Sequence, residues 1–514
     1  MRSPHISLIL VLGVIIASAI ETRKPNIVFI VADDLGWDDV SFHGSDQILT
    51  PNIDVLAYQG VVLNQYYTDS EGTASRSALF TGKYPSRIGM QGVSIKASED
   101  RGISISERLL PAHLRELGYK THLIGKWGVG KSRACYLPTN RGFDSSYGFS
   151  SDAVDYLTYN TIEELNDTSF FGLDLFDNLD VVDDKSGHLT DIITNKAIDI
   201  IRNHDTKEPL YLHVSHAAPH IGGALVTLQP PLESVEANKH ISHSARRLYA
   251  GLVTSLDNSV GHIIATLAER DILQNTIVVF VSDNGAPAVG AAKNFGSNFP
   301  FRGTKGSPWE GGVRTIGLVW YATMALRIHN SIFHVTDWLP TLVTAAGGNI
   351  NHKIDGINQW AVLMNNETPQ RNEALITIDD LNGWAAFREA KGCLYEISVD
   401  PTEINDLWYT LPDVVRRMSL RLRSFWTESK ARRRPQSDPR ADPSLRNYVW
   451  FPWVNDEQSN LEPPPVPMFP LQVSLGEMQY LVDLNFNLLK DKLNTYIGNV
   501  KESITESVGK LFYT

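Results

Sequence analysis

Cysteine is almost absent: Cys135 and Cys393 are the only two in 514 residues. A disulfide-stapled scaffold is therefore excluded, and a large apolar core must hold the fold. The two thiols could form one bridge or stand apart, because separation along the chain does not set distance in space. Excess positive charge is also missing. Lys and Arg number 46 against 58 Asp and Glu, a net charge of −12. That argues against a broad nucleic-acid surface while leaving room for a local basic pocket. Beyond the N-terminus there is no run of ~20 apolar residues, so no transmembrane segment is expected. The N-terminus itself reads Met1-Arg2, then an apolar run from Ile6 to Ile16, then Ala17-Ser18-Ala19. This is the pattern of a secretory signal peptide over 1–19. It predicts passage through the secretory pathway to the extracellular space or the lysosome. In that context Asn166-Asp167-Thr168 and Asn366-Glu367-Thr368 are N-glycosylation sequons at Asn166 and Asn366.

What is present is an alternation of strand and helix signals. Asn26-Ile27-Val28-Phe29-Ile30-Val31-Ala32 is a continuous apolar run, and Thr276-Ile277-Val278-Val279-Phe280-Val281-Ser282 repeats the design. Such runs read as parallel strands buried on both faces. Leu210–Ser215 and Lys120–Gly125 read as further strands, and Ala112–Leu117 and Tyr249–Ala268 as helices. The expected fold is α/β: a doubly wound, mostly parallel sheet flanked by helices over 24–345. A smaller C-terminal α+β region is expected over 346–458, with strand-like Gly392–Ile397 and a turn at Asp400-Pro401-Thr402-Glu403. Residues 459–473, with Pro463-Pro464-Pro465, read as an extended linker. Over 474–512, apolar residues from Leu475 to Leu511 fall in ten steps across 36 residues, 3.6 per step. That period predicts an amphipathic helix, docked on the body, self-associating or bound to a partner.

Each long strand run ends in carboxylates. Asp33 and Asp34 follow the first, Asp283 and Asn284 the second. Open α/β sheets place ligands at these C-terminal strand ends. Three clustered carboxylates repel unless one is protonated or a cation sits among them. Three carboxylates and an amide oxygen suit a hard divalent ion, calcium or magnesium. Arg76, Lys126, His220 and Lys305 are candidate contacts for an anion. A guanidinium can grip an oxyanion through two parallel bonds, and a helix opening near residue 72 adds free N–H groups.

The stretch Gly72-Thr73-Ala74-Ser75-Arg76, running on to Thr81-Gly82, resembles the signature of the sulfatase family. So do Asp33-Asp34-Leu35-Gly36-Trp37, Gly125-Lys126-Trp127, Arg141-Gly142-Phe143-Asp144, Ser282-Asp283-Asn284-Gly285 and Trp309-Glu310-Gly311-Gly312. Together they look like the arylsulfatase B branch, within the alkaline-phosphatase-like superfamily, over about residues 25–455. The resemblance implies that Asp33, Asp34, Asp283 and Asn284 hold calcium. It implies that Arg76, Lys126, His220 and Lys305 surround a sulfate ester, with His220 facing the ester oxygen, and that the ligand is a sulfated glycan or another anion.

Three departures fall on the chemistry. Gly72 stands where the family has the cysteine that becomes the formylglycine nucleophile. Ala74 replaces the motif proline, and Gly128 stands where the motif has histidine. Near the C-terminus, Ala385–Ala390 leads almost at once to Cys393, a shortened segment, and Thr402 stands where many relatives have its partner cysteine. The resemblance therefore implies a pseudoenzyme with an anion pocket. Its rivals are an active sulfatase acting on glycosaminoglycan or aryl sulfates, and an interaction protein working through its C-terminal helix.

Overall fold

The computed structural model describes residues 23–165, 168–222, 227–290, 292–379, 384–389, 395–430 and 436–454. The expected signal peptide, Asn166, Cys393, the 459–473 linker and the 474–512 helix lie outside these residues.

Ten strands form the main sheet. In chain order they are β1 (Asn26–Ala32), β2 (Val61–Leu63), β3 (Lys120–Lys126), β4 (Ser145–Phe149), β5 (Phe176–Asp177), β6 (Asp180–Val181), β7 (Leu210–Ser215), β8 (Thr276–Ser282), β9 (Gly317–Trp320) and β10 (Arg327–His329). Their spatial order is β10-β2-β9-β8-β1-β7-β3-β4-β5-β6. The centre, β8-β1-β7-β3-β4, is parallel, and antiparallel strands flank it on both sides.

The apolar run of β1 explains the layering. Its side chains alternate between faces, and both faces are covered. Val28, Ile30 and Ala32 belong to one core cluster. Helices α1 (Pro51–Gln59), α4 (Leu189–Asn203) and α5 (Ser244–Glu269) pack there through residues such as Ile53, Ile193 and Leu252. Ile27, Phe29 and Val31 belong to the other cluster. It is closed by α2 (Gly72–Thr81), α3 (Leu110–Glu116) and α6 (Trp338–Ala345) through Leu79, Leu114 and Leu339. The expected doubly wound α/β fold is present. Helix α4 shows the local logic: Leu189, Ile193, Ala197 and Ile201 recur every four residues on its buried face, and the His188 side chain accepts from Thr190 N at its start.

Beyond α6, β11 (Glu373–Asp379) pairs antiparallel with β12 (Trp384–Glu389). Helix α7 (Pro412–Thr427) packs beside this pair, its Phe425 ring 5.6 Å from Phe387 and 5.7 Å from Tyr84. One expectation fails here. Tyr395–Ile397 is turn rather than strand. Val399 N and Asp400 N both bond back to Glu396 O, and the Asp400 carboxylate accepts from Ile404 N and Asn405 N. These local bonds outweigh a short apolar run. The turn predicted at Asp400–Glu403 is present, with Glu403 N bonded to Asp400 O. Residues 436–454 return to the main body: Leu173 N donates to Tyr448 O at 2.8 Å and Trp450 Nε1 to Thr161 O at 2.9 Å. Cys135 sits half-buried in the short 3-10 turn Ala134–Tyr136. Asn366 is exposed just past the helix Trp360–Asn365, where a sequon must be to accept a glycan.

Candidate functional site

The parallel strands deliver the predicted residues to one edge. Parallel register pairs Ala32 with Ser282 and Ser215 with Gly125. The chain therefore leaves β1 at Asp33-Asp34, β8 at Asp283-Asn284, β3 at Lys126 and β7 just before the loop carrying His220. Gly125 makes one of these placements feasible. Its φ is +98°, and an added Cβ would lie 1.9 Å from Ser215 O. Only glycine lets β3 run this close to β7 and set Lys126 in place.

All four acidic-set residues are buried: Asp33 1% exposed, Asp34 1%, Asp283 4% and Asn284 0%. Asp34 adopts a left-handed φ of 67°, an uncommon conformation for a residue other than glycine, held by its surroundings. Its N–H donates to Asp283 Oδ1 at 3.2 Å and its Oδ1 accepts from Asn284 Nδ2 at 2.6 Å. Asp33 Oδ1, Asp34 Oδ2 and Asn284 Oδ1 are buried with no hydrogen-bond partner. Orphaned buried oxygens of this kind are what a hard cation satisfies. The donor set fits a divalent ion. Asp33, Asp34 and His220 offer donor atoms within 4.8 Å of one another. Asp283 Oδ2 instead takes Arg76 Nε at 3.0 Å and Arg76 Nη2 at 2.9 Å.

The cations are set close around these acids. Lys126 Nζ lies 2.8 Å from Asp33 Oδ2 and 3.0 Å from Asp152 Oδ1. Lys305 Nζ lies 2.7 Å from Asp34 Oδ1, and His220 Nε2 3.5 Å from Asp34 Oδ2. His220 Nδ1 is 2.6 Å from Ile221 O. A carbonyl can only accept, so Nδ1 carries a hydrogen and Nε2 is the nitrogen aimed at the acids. Arg76 is fully buried on α2. It spends its fork on Asp283 and Ser215 Oγ rather than on open space, so it orients a carboxylate. Burial and repulsion from Asp33 push the Asp283 carboxyl up, against Arg76, Lys126 and Lys305. Burial alone would lower Lys305, but Asp34, Asp152, Glu71 and Asp33 hold it well above the usual lysine range.

Gly72 opens α2 with its Cα facing the acids. A Cβ there would sit 2.7 Å from Asp283 Oδ2 and 3.5 Å from Asn284 Oδ1. The neighbouring hydroxyls are committed elsewhere. Thr73 Oγ1 donates to Gly128 O at 2.9 Å and accepts from Ile95 N, and Ser70 Oγ points to Asp69 Oδ1. Gly128 has a φ of +69°, and its Cβ would meet Lys126 Cε at 3.3 Å. Gly128→His is therefore expected to cost about 1–2 kcal/mol in urea unfolding, the strain of a side chain in left-handed backbone. An unchanged midpoint would show that the loop relaxes.

Two site residues escaped the sequence reading. Asp152 lies just past β4, whose short glycine-containing run Ser145–Phe149 gives little strand signal. The same strand-end rule that marks Asp33 and Asp283 applies to it. Burial would raise the Asp152 carboxyl, but Lys126, Lys305 and His220 outweigh it and hold it well below the usual carboxylate range. Glu71, beside Gly72, is pushed up to about 7 by burial; Lys305 opposes this, and Asp152, Asp34 and Asp283 reinforce it.

The family model described as Sulfatase matches residues 25–348. Arylsulfatase J of Mus musculus is 31% identical over 500 residues, covering 85% of this chain and 81% of that one. N-acetylgalactosamine-6-sulfatase of Rattus norvegicus is 31% identical over 353 residues, 65% of this chain and 64% of that one. Among solved structures, Ps i-CgsB in complex with k-i-k-neocarrahexaose superposes with a TM-score of 0.70 at 28% identity, covering 80% of this chain and 94% of that one. The phosphonate monoester hydrolase of Agrobacterium radiobacter, at 17% identity and a TM-score of 0.53 over 79% of this chain and 96% of that one, shares the fold alone. The fold is the alkaline-phosphatase-like α/β fold, and the chain belongs to the sulfatase family.

Proposed function

We propose that this chain is an arylsulfatase B-like sulfatase that no longer hydrolyses its ligand and keeps a calcium-supported pocket for sulfated glycans. One observation carries the reading: position 72 has no side chain, at the start of the helix whose first residue supplies the family's nucleophile. Thr73 and Ser70 are the nearest hydroxyls in sequence, and each is tied to another partner. The remaining parts support binding. Asp33, Asp34, Asp283 and Asn284, with His220 at hand, would hold the calcium. When bound, it would supply electrostatic stabilisation to an ester oxygen. Lys126 and Lys305 would face the anion, and Arg76 would position Asp283 beside it. The glycan class is supported by two neighbours: one relative is named for N-acetylgalactosamine 6-sulfate, and one solved neighbour is in complex with a neocarrahexaose. Secretion, with glycosylation at Asn166 and Asn366, belongs to the same reading. No helix among the described residues is long and apolar enough to cross a membrane.

The test pairs binding with turnover. The secreted protein should retain a sulfated N-acetylgalactosamine oligosaccharide in calorimetry while releasing no sulfate from it. Steady sulfate release abolished by Lys126→Ala would overturn the reading. The metal has its own test. Calcium at about 100 times its dissociation constant should stabilise chelator-treated protein by about 2.7 kcal/mol. Asp33→Asn should remove most of that gain. No thermal shift with calcium or magnesium would remove the metal from the proposal.

A further inference from the structure

Lys126 faces two ways. Its ammonium bonds inward to Asp33 Oδ2 at 2.8 Å and outward to Asp152 Oδ1 at 3.0 Å. The inward partner belongs to the donor set that fits a cation. The outward partner stands apart from the four residues proposed to hold the cation, so a bound metal would leave it facing Lys126. Asp152 reaches the site from the loop after β4. Its side chain is 34% exposed, so it forms the solvent side of the pocket and not its floor. Lys305 and His220 act on it together with Lys126. These are three of the four groups expected to meet an incoming oxyanion.

Resting on the reading of this pocket as an anion site, we propose that Asp152 is its internal counter-anion. The carboxylate takes the place against Lys126 that a sulfate or phosphate oxygen would take. An external oxyanion must displace Asp152 or share Lys126 with it at the distance of two like charges in contact. The pocket is therefore self-occupied. Weak, singly charged anions bind poorly, and a ligand enters only when further contacts along its length offset the displacement. Asp152 in this way sets specificity, favouring an extended polyanion over a free oxyanion. Because its side chain is partly exposed, it can swing out without unpacking the core.

The experiment is calorimetric titration of the full chain with inorganic sulfate, with calcium and after chelation. Asp152→Asn, which keeps the shape and removes the charge, should bind sulfate at least tenfold more tightly than the parent. Asp152→Ala should do the same, which guards against a fold defect peculiar to one variant, and both are checked by circular dichroism. Adding Lys305→Ala to Asp152→Asn should erase the gain. If Asp152→Asn binds sulfate no better than the parent, while Lys305→Ala weakens the parent, the pocket takes anions but Asp152 is not its counter-anion. That outcome overturns this inference and leaves the pocket reading standing. If sulfate binds to none of these proteins, both fall.

Discussion

Purified protein is expected to hydrolyse an aryl sulfate at least about 10³-fold more slowly than a sulfatase carrying its nucleophile, since deleting a nucleophile that works in a concerted unit costs ~10³–10⁶ in rate. What remains after such a loss is the electrostatic contribution of cation and lysines. The informative partner is Gly72→Cys, Ala74→Pro, Gly128→His, made in cells that contain the converting enzyme. The geometry sets a condition on that rescue. A Cβ at 72 would lie 2.7 Å from Asp283 Oδ2, an oxygen that Arg76 holds through two nitrogens. The new side chain fits only when the carboxylate swings away, and a bound cation gives it somewhere to go. Rescue should therefore require calcium. A silent parent with a calcium-dependent active variant would mean that the pocket lacks only its chemistry. An active parent would overturn the proposed loss. If both are silent, the pocket has drifted beyond the three departures.

The largest stability effect is expected at Arg371. Its Nε donates to Asp337 Oδ2 at 2.7 Å, and Nη2 pairs with Asp337 Oδ1 and donates to Asp355 O at 2.9 Å. Nη1 reaches Glu373 O at 2.9 Å and Tyr84 Oη at 3.2 Å. Both charges of the pair are buried, at 2% and 0% side-chain exposure. Arg371→Met leaves Asp337 buried and unpaired, so a loss of about 3–5 kcal/mol is expected in urea unfolding. Arg421 is the control. Its pair with Glu373 is 45% and 36% exposed, and Arg421→Met should cost less than about 1 kcal/mol. A loss at Arg371 no larger than at Arg421 would show that this pair does not anchor the segment leading into β11.

The sheet's centre was legible in the sequence because β1 and β8 are buried on both faces and so carry unbroken apolar runs, residues 27–32 and 277–281. The site was legible for the same reason: a strand that ends in carboxylates announces both its direction and its ligand edge. Legibility fails where the signal is not in the side chains of one segment. β4 reads Ser145-Ser146-Tyr147-Gly148-Phe149, and its glycine answers to its neighbour, since an added Cβ would lie 2.1 Å from Gly125 O. That constraint exists only after β3 is in place, so Asp152 stayed invisible with its strand. The family resemblance pointed to Arg76, and the fold shows its fork turned onto Asp283. Tyr395–Ile397 has strand-like residues and was misread, because Glu396 O takes the N–H groups of Val399 and Asp400 and closes a turn that no periodicity reports.

The charges at the strand ends lean on one another. Asp33 is shared by Lys126 and Arg76, Asp34 by Lys305 and His220, and Asp283 is held by Arg76. Losing Arg76 would leave the buried Asp283 without its ion-pair partner, a defect of several kcal/mol, while Asp33 and Asp34 each keep a second partner when one is lost. Gly72 takes no part in this mesh. Its bare Cα strands none of these charges, while any side chain placed there would press on Asp283 Oδ2, 2.7 Å from the added Cβ. In such an interior the acids and the basic side chains keep one another neutral whether or not they act on a ligand, so folding alone gives each of them a reason to be there.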